Sequence, residues 1–349
     1  MPHILLDCEK MKYANTGLFE FCRQLGNSLI RQHAENESLT FYTPAALKGI
    51  FGPEQRYRTQ RRYHRFLMPP SGNIDIWHST FQTTHYRPSG SRTRHILTIH
   101  DLNYIHEGKS PARIAAYLKK IQRNIDRADH VVTISTFVME DVTRHLDLHN
   151  KPASVILNGG DLETFPGFDQ PGYRPQRPFL FAIGSINAKK NFHVLPALLK
   201  NNDYELILAG PVFDPLYKQK IQQEAAAHNV ANRVSVLGSI SGQDKYWYYN
   251  HCTAFLFPSL AEGFGIPVVE AMSQGKPCFI SDRTSLPEVG GEHCYYFQTF
   301  EPDVMQQVFI NGLHDYKINN RADAIVKHAA TLTYHQMAHK YLQVYRSLY

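Results

Sequence analysis

Nowhere along these 349 residues do roughly 18 apolar side chains follow one another, so no segment reads as a membrane-spanning helix. The amino terminus, Met1-Pro2-His3-Ile4-Leu5-Leu6-Asp7, has no charged region ahead of its apolar run, and a secretory signal is not expected. Cysteine is scarce: Cys8, Cys22, Cys252, Cys278 and Cys294 are odd in number and never form a C-x-x-C pair. All but Cys22 lie in or beside apolar runs and read as buried free thiols, which points to a reducing, cytoplasmic compartment. Nineteen histidines are present, yet no H-E-x-x-H or comparable ligand spacing, and there is no D-x-D carboxylate pair. No metal and no other cofactor is therefore expected. A formal charge of +6 is too small to argue for nucleic acid.

What is present is a globular composition, 43% hydrophobic and 19% charged, on a chain long enough for two cores. Short β-rich runs alternate with helical spacing from end to end. In the first half the strands are expected at 3–7, 38–43, 74–78, 95–99, 130–134 and 153–157, with helices over 17–34 and 112–127 and another opening at Ser135. A Pro/Gly-rich passage at 166–178 reads as a linker, and the pattern restarts with strands at 179–183, 204–209, 233–237, 253–257, 277–281 and 294–297. The alternation predicts an α/β protein of two doubly wound, Rossmann-like domains with mostly parallel sheets. Ligands of such sheets bind beyond the carboxyl ends of the strands. The expected division is residues 1–165, residues 166–325 and a final helix over 326–349.

The informative stretch is 254–290, AFLFPSLAEGFGIPVVEAMSQGKPCFISDRTSLPEVG. A buried strand ends at Phe257-Pro258, and a loop carries Glu262-Gly263-Phe264-Gly265. Proline is favoured in a first helical turn, so a helix is expected from about Ile266-Pro267. Its unpaired N–H groups and positive dipole end suit a diphosphate. Glu262 and Glu270 suit hydroxyls instead, since carboxylates accept hydrogen bonds and repel phosphate. An anion site between two hydroxyl acceptors matches the chemistry of a sugar nucleotide. Glu270 could also be a solvated helix residue, but it stands among Val268, Val269, Ala271 and Met272.

PSLAEGFGIPVVEAMSQGKP followed by SLPEV resembles the signature of retaining glycosyltransferases of family 4, whose two glutamates are separated by seven residues. The resemblance implies the GT-B fold, two Rossmann-like domains facing a central cleft. It also implies that Glu270 binds the nucleotide ribose, that Glu262 binds a hexose hydroxyl near the reacting carbon, and that the amides of Phe264, Gly265 and Ile266 hold donor sugar and phosphate. FLFAIGSINAKKNF at 179–192 is similar to the family's first nucleotide-domain strand, with Gly184 in the turn and Lys190 against the donor phosphates. Many members have arginine where Ser185 stands, so either Lys189 supplies the second charge or the phosphate grip is looser. In TIHDLNYIHEGK at 98–109, His100 and Asp101 resemble the family's strand-end pair, and Asn15-Thr16-Gly17 resembles its glycine loop. NGGD at 158–161 resembles the family in its place at the linker, although the family more often has a bulkier residue where Gly160 stands.

The implied reaction moves a hexose, with mannose from GDP-mannose slightly favoured over UDP-linked hexoses, to a glycan or lipid-linked acceptor of the cell envelope. No protein nucleophile is required: Lys190 and helix amides stabilise the departing phosphate, while Glu262 and His100 position the sugar. A glycosidase-like carboxylate pair competes poorly, because both glutamates belong to one loop-helix unit. A nucleotide-sugar epimerase of the same fold and a non-catalytic nucleotide-sugar sensor are the alternatives. Outside these motifs, KGIFGPEQRYRTQRRYHRF at 48–66 has six basic residues against Glu54, with Tyr57, Tyr63 and Phe66 interleaved. It reads either as a solvated loop, as a contact to an anionic soluble acceptor, or as a peripheral membrane contact through Arg58, Arg61, Arg62 and Arg65 on the inner face of the cytoplasmic membrane.

Overall fold

The computed structural model describes every residue except 15, 71, 90, 91, 106 and 107. Two compact units are formed, Met1–Gly159 with Tyr334–Tyr349, and Gly160–Thr333.

The first unit opens with β1 (His3–Asp7), α1 (Gly17–Gln32), β2 (Ser38–Thr43) and β3 (Arg56–Thr59). It continues through β4 (Ile76–Ser79), β5 (Arg94–Ile99), α2 (Pro111–Ile125), β6 (His130–Thr133), α3 (Thr136–His145) and β7 (Ala153–Val155). All seven strands pair in parallel in the order β3-β2-β1-β4-β5-β6-β7. The chain thus starts in the middle of the sheet and winds outward to both edges, leaving the switch point between β1 and β4. Burial on both faces explains why these strands read as continuous apolar runs.

Strand β3 was not expected from sequence, where its residues belonged to a candidate loop. Its sequence Arg-Tyr-Arg-Thr alternates with period two, and it forms the sheet edge beside β2. The Tyr57 hydroxyl donates to the Gly52 carbonyl and accepts from the Phe51 amide. Charged residues on an edge strand discourage pairing with another chain.

The second unit contains β8 (Phe179–Ile183), β9 (Glu205–Ala209), α4 (Pro215–Ala227), β10 (Val234–Gly238), α5 (Gly242–His251) and β11 (Ala254–Phe257). After these come α6 (Ile266–Ser273), β12 (Cys278–Ser281), α7 (Leu286–Gly290), β13 (Tyr295–Phe297), α8 (Pro302–Ile318) and α9 (Ala322–Ala329). Its parallel sheet has the order β10-β9-β8-β11-β12-β13. Placing β8 beside β11 is what brings two distant loops together at the carboxyl edge.

The passage 166–178, read as the linker, lies within this second unit. It is tied down by the Gly172 amide on Asp244, the Tyr173 hydroxyl on Glu205 and the Trp247 indole N–H on Asp169. The change of unit falls at Gly159/Gly160. There a Cβ on Gly160 would stand 2.4 Å from the Val269 Cβ, so the side chain of α6 fills the space a bulkier residue would need.

The last helix, α10 (Tyr334–Arg346), packs in the first unit against α1. The Tyr345 hydroxyl bonds His78 at 2.7 Å, and the Tyr341 hydroxyl bonds Thr98 at 2.9 Å. Arg346 grips Glu37 at 2.7 and 3.0 Å and, with Tyr349, holds that carboxyl down to about 2. All five cysteines are buried and free.

Candidate functional site

Helix α6 begins where the chain must reverse sharply after β11. Gly265 caps it at φ +113°, a conformation that L side chains rarely adopt, and a Cβ there would lie 2.7 Å from Leu286. Pro267 then pre-sets the first turn. Phe264 is buried beneath the loop. The loop is also tied from outside: the Glu262 amide donates to Thr284 Oγ1 at 2.9 Å, and Ser285 Oγ bonds the Phe264 carbonyl at 3.0 Å. Two side-chain hydrogen bonds from the next loop thus fix the backbone that leads into the helix N-terminus.

Lys190 arrives from the other loop. Gly184 lies at φ +156°, and a Cβ there would come 3.0 Å from Lys190 Cε, so the lysine stem passes where a side chain would stand. Lys190 Nζ reaches Glu262 Oε1 at 2.5 Å and lies 4.6 Å from the Phe257 ring centroid. Ser259 Oγ donates to the same Glu262 oxygen at 2.5 Å. Burial and, more weakly, the nearby Lys189 charge lower the Lys190 pKa, while Glu262 opposes both. Lys189 is thus near enough to add positive charge beside Lys190, where Ser185 carries none. The backbone joins the two loops too, since the Leu260 amide donates to the Lys189 carbonyl at 2.8 Å.

Glu270 lies one turn into α6 and is 5% exposed, which excludes the solvated reading. Lys245 of α5 holds its Oε1 at 2.6 Å, and the Tyr249 hydroxyl donates to its Oε2 at 2.8 Å. An ionised carboxylate offers about four acceptor positions, so each oxygen can still accept one more hydrogen bond. Burial, then Glu270, raises the Tyr249 pKa well above its ordinary value, keeping the phenol a donor. The second unit therefore brings Gly184, Ser185, Lys189, Lys190, Glu262, Gly263, Phe264, Gly265, Ile266 and Glu270 to one edge of its sheet.

His100 and Gly17 belong to the first unit. His100 follows β5, is 6% exposed, and its Nε2–H donates to the Thr80 carbonyl at 2.8 Å, which leaves Nδ1 as the acceptor. Burial pushes its pKa down to about 4, so the ring is neutral near pH 7. It packs edge-on against Phe21, ring centroids 4.6 Å apart. Gly17 opens α1, where Thr16 caps the helix, and its Cβ position is open space. Asn15, the first residue of that motif, lies outside the described residues.

The basic segment is not a uniform loop. Arg58 turns back to the Pro69 and Pro70 carbonyls, at 3.0 and 3.3 Å, and does not share the exposed surface of Arg61, Arg62 and Arg65. Sequence reasoning also missed Ser259, Thr284, Lys245 and Tyr249. Ser259 stood within the quoted motif without a role, whereas nothing in Asp244-Lys245 distinguishes it from a solvated helix pair. Among the described residues, no three His, Cys, Asp or Glu side chains gather as a metal site, and no helix is long and apolar enough to cross a membrane.

Known proteins resemble this chain in sequence and in fold. Residues 167–328 match the family described as Glycosyl transferases group 1, and residues 23–164 match Glycosyltransferase Family 4. The O-antigen chain mannosyltransferase RfbU of Salmonella typhimurium is 26% identical over 59% of this chain and 57% of its own length. The serotype-specific mannosyltransferase WbdA of Escherichia coli is 29% identical over 57% of this chain and 26% of its own. The chain thus spans from a quarter to little more than half of these relatives' lengths. Among solved structures, sucrose-phosphate synthase from Thermosynechococcus elongatus superposes with TM-score 0.77 at 17% identity, covering 100% of this chain and 99% of that one. Anabaena HepE in complex with UDP and glucose gives 0.72 at 16% identity, covering 99% and 100%. These likenesses carry the fold, which is GT-B.

Proposed function

Because the chain belongs to the group 1 glycosyltransferases of family 4, we propose that it transfers mannose from GDP-mannose, with retention, to a glycan or lipid-linked acceptor in cell-envelope polysaccharide synthesis. The observation that carries the reading is the largely buried Lys190–Glu262 pair, held at a helix N-terminus one turn before a second oriented carboxylate. The mannosyltransferase names of several relatives support the donor.

Diphosphate binding at α6 gives Lys190 a new anionic partner. Glu262, relieved of its ammonium, then accepts from a hexose hydroxyl. As the acceptor oxygen bonds to the anomeric carbon, the bond from that carbon to phosphate oxygen breaks, and the acceptor proton passes to the departing phosphate. Charge develops where Lys190 and the amides of Phe264, Gly265 and Ile266 point, so these groups act most strongly in the transition state. Glu270 keeps the ribose throughout. On this reading the lysines and helix terminus supply the positive charge, and transfer proceeds in EDTA.

The test begins with a thermal-shift screen of GDP-mannose, UDP-glucose and UDP-galactose, where a donor at 100 times its dissociation constant stabilises by about 2.7 kcal/mol. The proposed donor then gives an α-linked product by NMR. A shift with UDP-hexoses alone would reassign the donor, an inverted product would overturn retention, and donor turnover without acceptor would favour the epimerase.

A further inference from the structure

The turn that follows β3 has a structure the function above does not use. Residues Arg62–Arg65 form a 3-10 turn, and the Phe66 and Leu67 amides both donate to the Tyr63 carbonyl at 2.9 Å. Tyr63, Phe66 and Leu67 are therefore spaced i, i+3 and i+4 and share one face. They are 58%, 85% and 74% exposed, a concentration of apolar surface that a solvated turn does not need. Arg61, Arg62 and Arg65 stand exposed around them, with the Arg65 guanidinium 6.0 Å from the Phe66 ring centroid. From Gln55 to Ile74 the sequence contains no acid.

The turn is also held rigidly at its base. His64, the inward residue, is buried, bonds the Tyr42 hydroxyl of β2 at 2.7 Å and stacks on that ring. Burial, then the Arg58 and Arg61 charges, lowers its pKa and keeps this anchor neutral. Arg58 straps Pro69 and Pro70 back against β3. One histidine and one arginine thus fix the turn, while three arginines and three apolar side chains are displayed at the carboxyl edge of the first sheet.

We propose that this turn docks the first unit on an anionic lipid surface, with Phe66 and Leu67 entering the headgroup boundary and Arg61, Arg62 and Arg65 meeting lipid phosphates. Charge complementarity selects an anionic partner, and the exposed leucine selects one with hydrocarbon behind the phosphates. A nucleic acid would stack the aromatic rings but give Leu67 nothing to enter. The proposal stands apart from the choice of donor, because it uses no residue of the second unit.

Co-sedimentation with vesicles of phosphatidylglycerol and phosphatidylcholine tests it, with pure phosphatidylcholine for comparison. Each arginine near an anionic surface is worth about fivefold in partition, so R61S/R62S/R65S is expected to lose on the order of a hundredfold. F66S/L67S, with every charge kept, is expected to lose at least tenfold. A charge-matched control, K220S/K317S/K327S on exposed helices of the second unit, retains wild-type binding within threefold. Binding weakens from 50 to 300 mM salt as screening shortens. Unchanged far-UV circular dichroism and an unchanged urea midpoint show that each variant is folded. Equal loss in the patch and control variants, unchanged binding by F66S/L67S, or binding indifferent to salt would each overturn the proposal.

Discussion

Three side chains in the second unit, Lys190, Glu262 and Glu270, are largely withdrawn from water, and each gives a distinct expectation. Lys190→Ala removes the cation opposite the departing phosphate and is expected to lower turnover about 10²–10³-fold. Glu262→Ala leaves the largely buried Lys190 without its 2.5 Å partner, so the ligand-free protein is expected to lose about 1–3 kcal/mol of stability. An unpaired ammonium welcomes phosphate, so nucleoside diphosphate affinity is not weakened in that variant while transfer falls. Glu270→Ala behaves oppositely, with weaker affinity even for the bare nucleoside diphosphate, because ribose contacts persist through the reaction. Calorimetric titration with GDP separates the two, and equal affinity losses would refute the assignment. Lys245→Met leaves Glu270 oriented by Tyr249 alone. It is expected to weaken GDP several-fold and to matter less for 2′-deoxy-GDP, a contrast that a merely structural lysine would not produce.

At the scale of elements, α6 depends on two glycines that no other residue replaces cheaply. Gly265→Ala must strain φ +113° and push Leu286 aside, which costs about 1–3 kcal/mol. Because that residue sets the first amides of the helix, GDP affinity is expected to fall with stability, both measured on the same purified variant. Gly160→Ala collides with the Val269 side chain of α6. It is expected to destabilise the second unit with a smaller effect on GDP, since it leaves the Gly265 cap and the residues that turn the chain into α6 unchanged. The serines and threonine around the loop act through the same element: Ser285 and Thr284 hold backbone that Glu262 and Phe264 would otherwise have to order on binding.

For the whole molecule, the two units should respond differently to acid. Burial pushes His95 and His100 down to about 4 and His78 down to about 3, all in the first unit. The unfolded chain takes up these protons near pH 6.5, whereas the folded rings remain neutral to about pH 4. The unfolded state therefore binds more protons in that window, and stability present above pH 6.5 is lost as the pH falls toward 4, by at most about 1.4 kcal/mol per histidine per pH unit. His3, His64, His85 and His130 of the first unit shift in the same direction, and in the second unit His193 and His293 do so, without the deep burial of His78, His95 and His100. Asp7, whose burial raises its carboxyl, opposes them but is a single group. With Trp77 in the first unit and Trp247 in the second, the W247F variant reports the first unit alone. Its urea midpoint is expected to drop between pH 7 and 5, and an unchanged midpoint would show that these rings are protonated in the folded protein.

Periodicity and turn chemistry in the sequence determined the α/β class, every strand except β3, and the spacing that put Glu262 and Glu270 on one loop and helix. Those are properties of neighbours along the chain, where a period of 2 or 3.6 shows which faces are buried. Edge strand β3 escaped because its arginines belong to a half-exposed edge and imitate a charged loop. Partners were a matter for the tertiary structure alone. Lys190 meets Glu262 across 72 residues because β8 lies beside β11, and Lys245 meets Glu270 because α5 lies against α6. The same holds for the arginines: sequence counted their charge, but only packing withdrew Arg58 to the Pro69 and Pro70 carbonyls and left Arg61, Arg62 and Arg65 outside. A side chain's type is written in the chain, whereas its neighbours depend on strand order and register, which bring together residues that the chain keeps far apart.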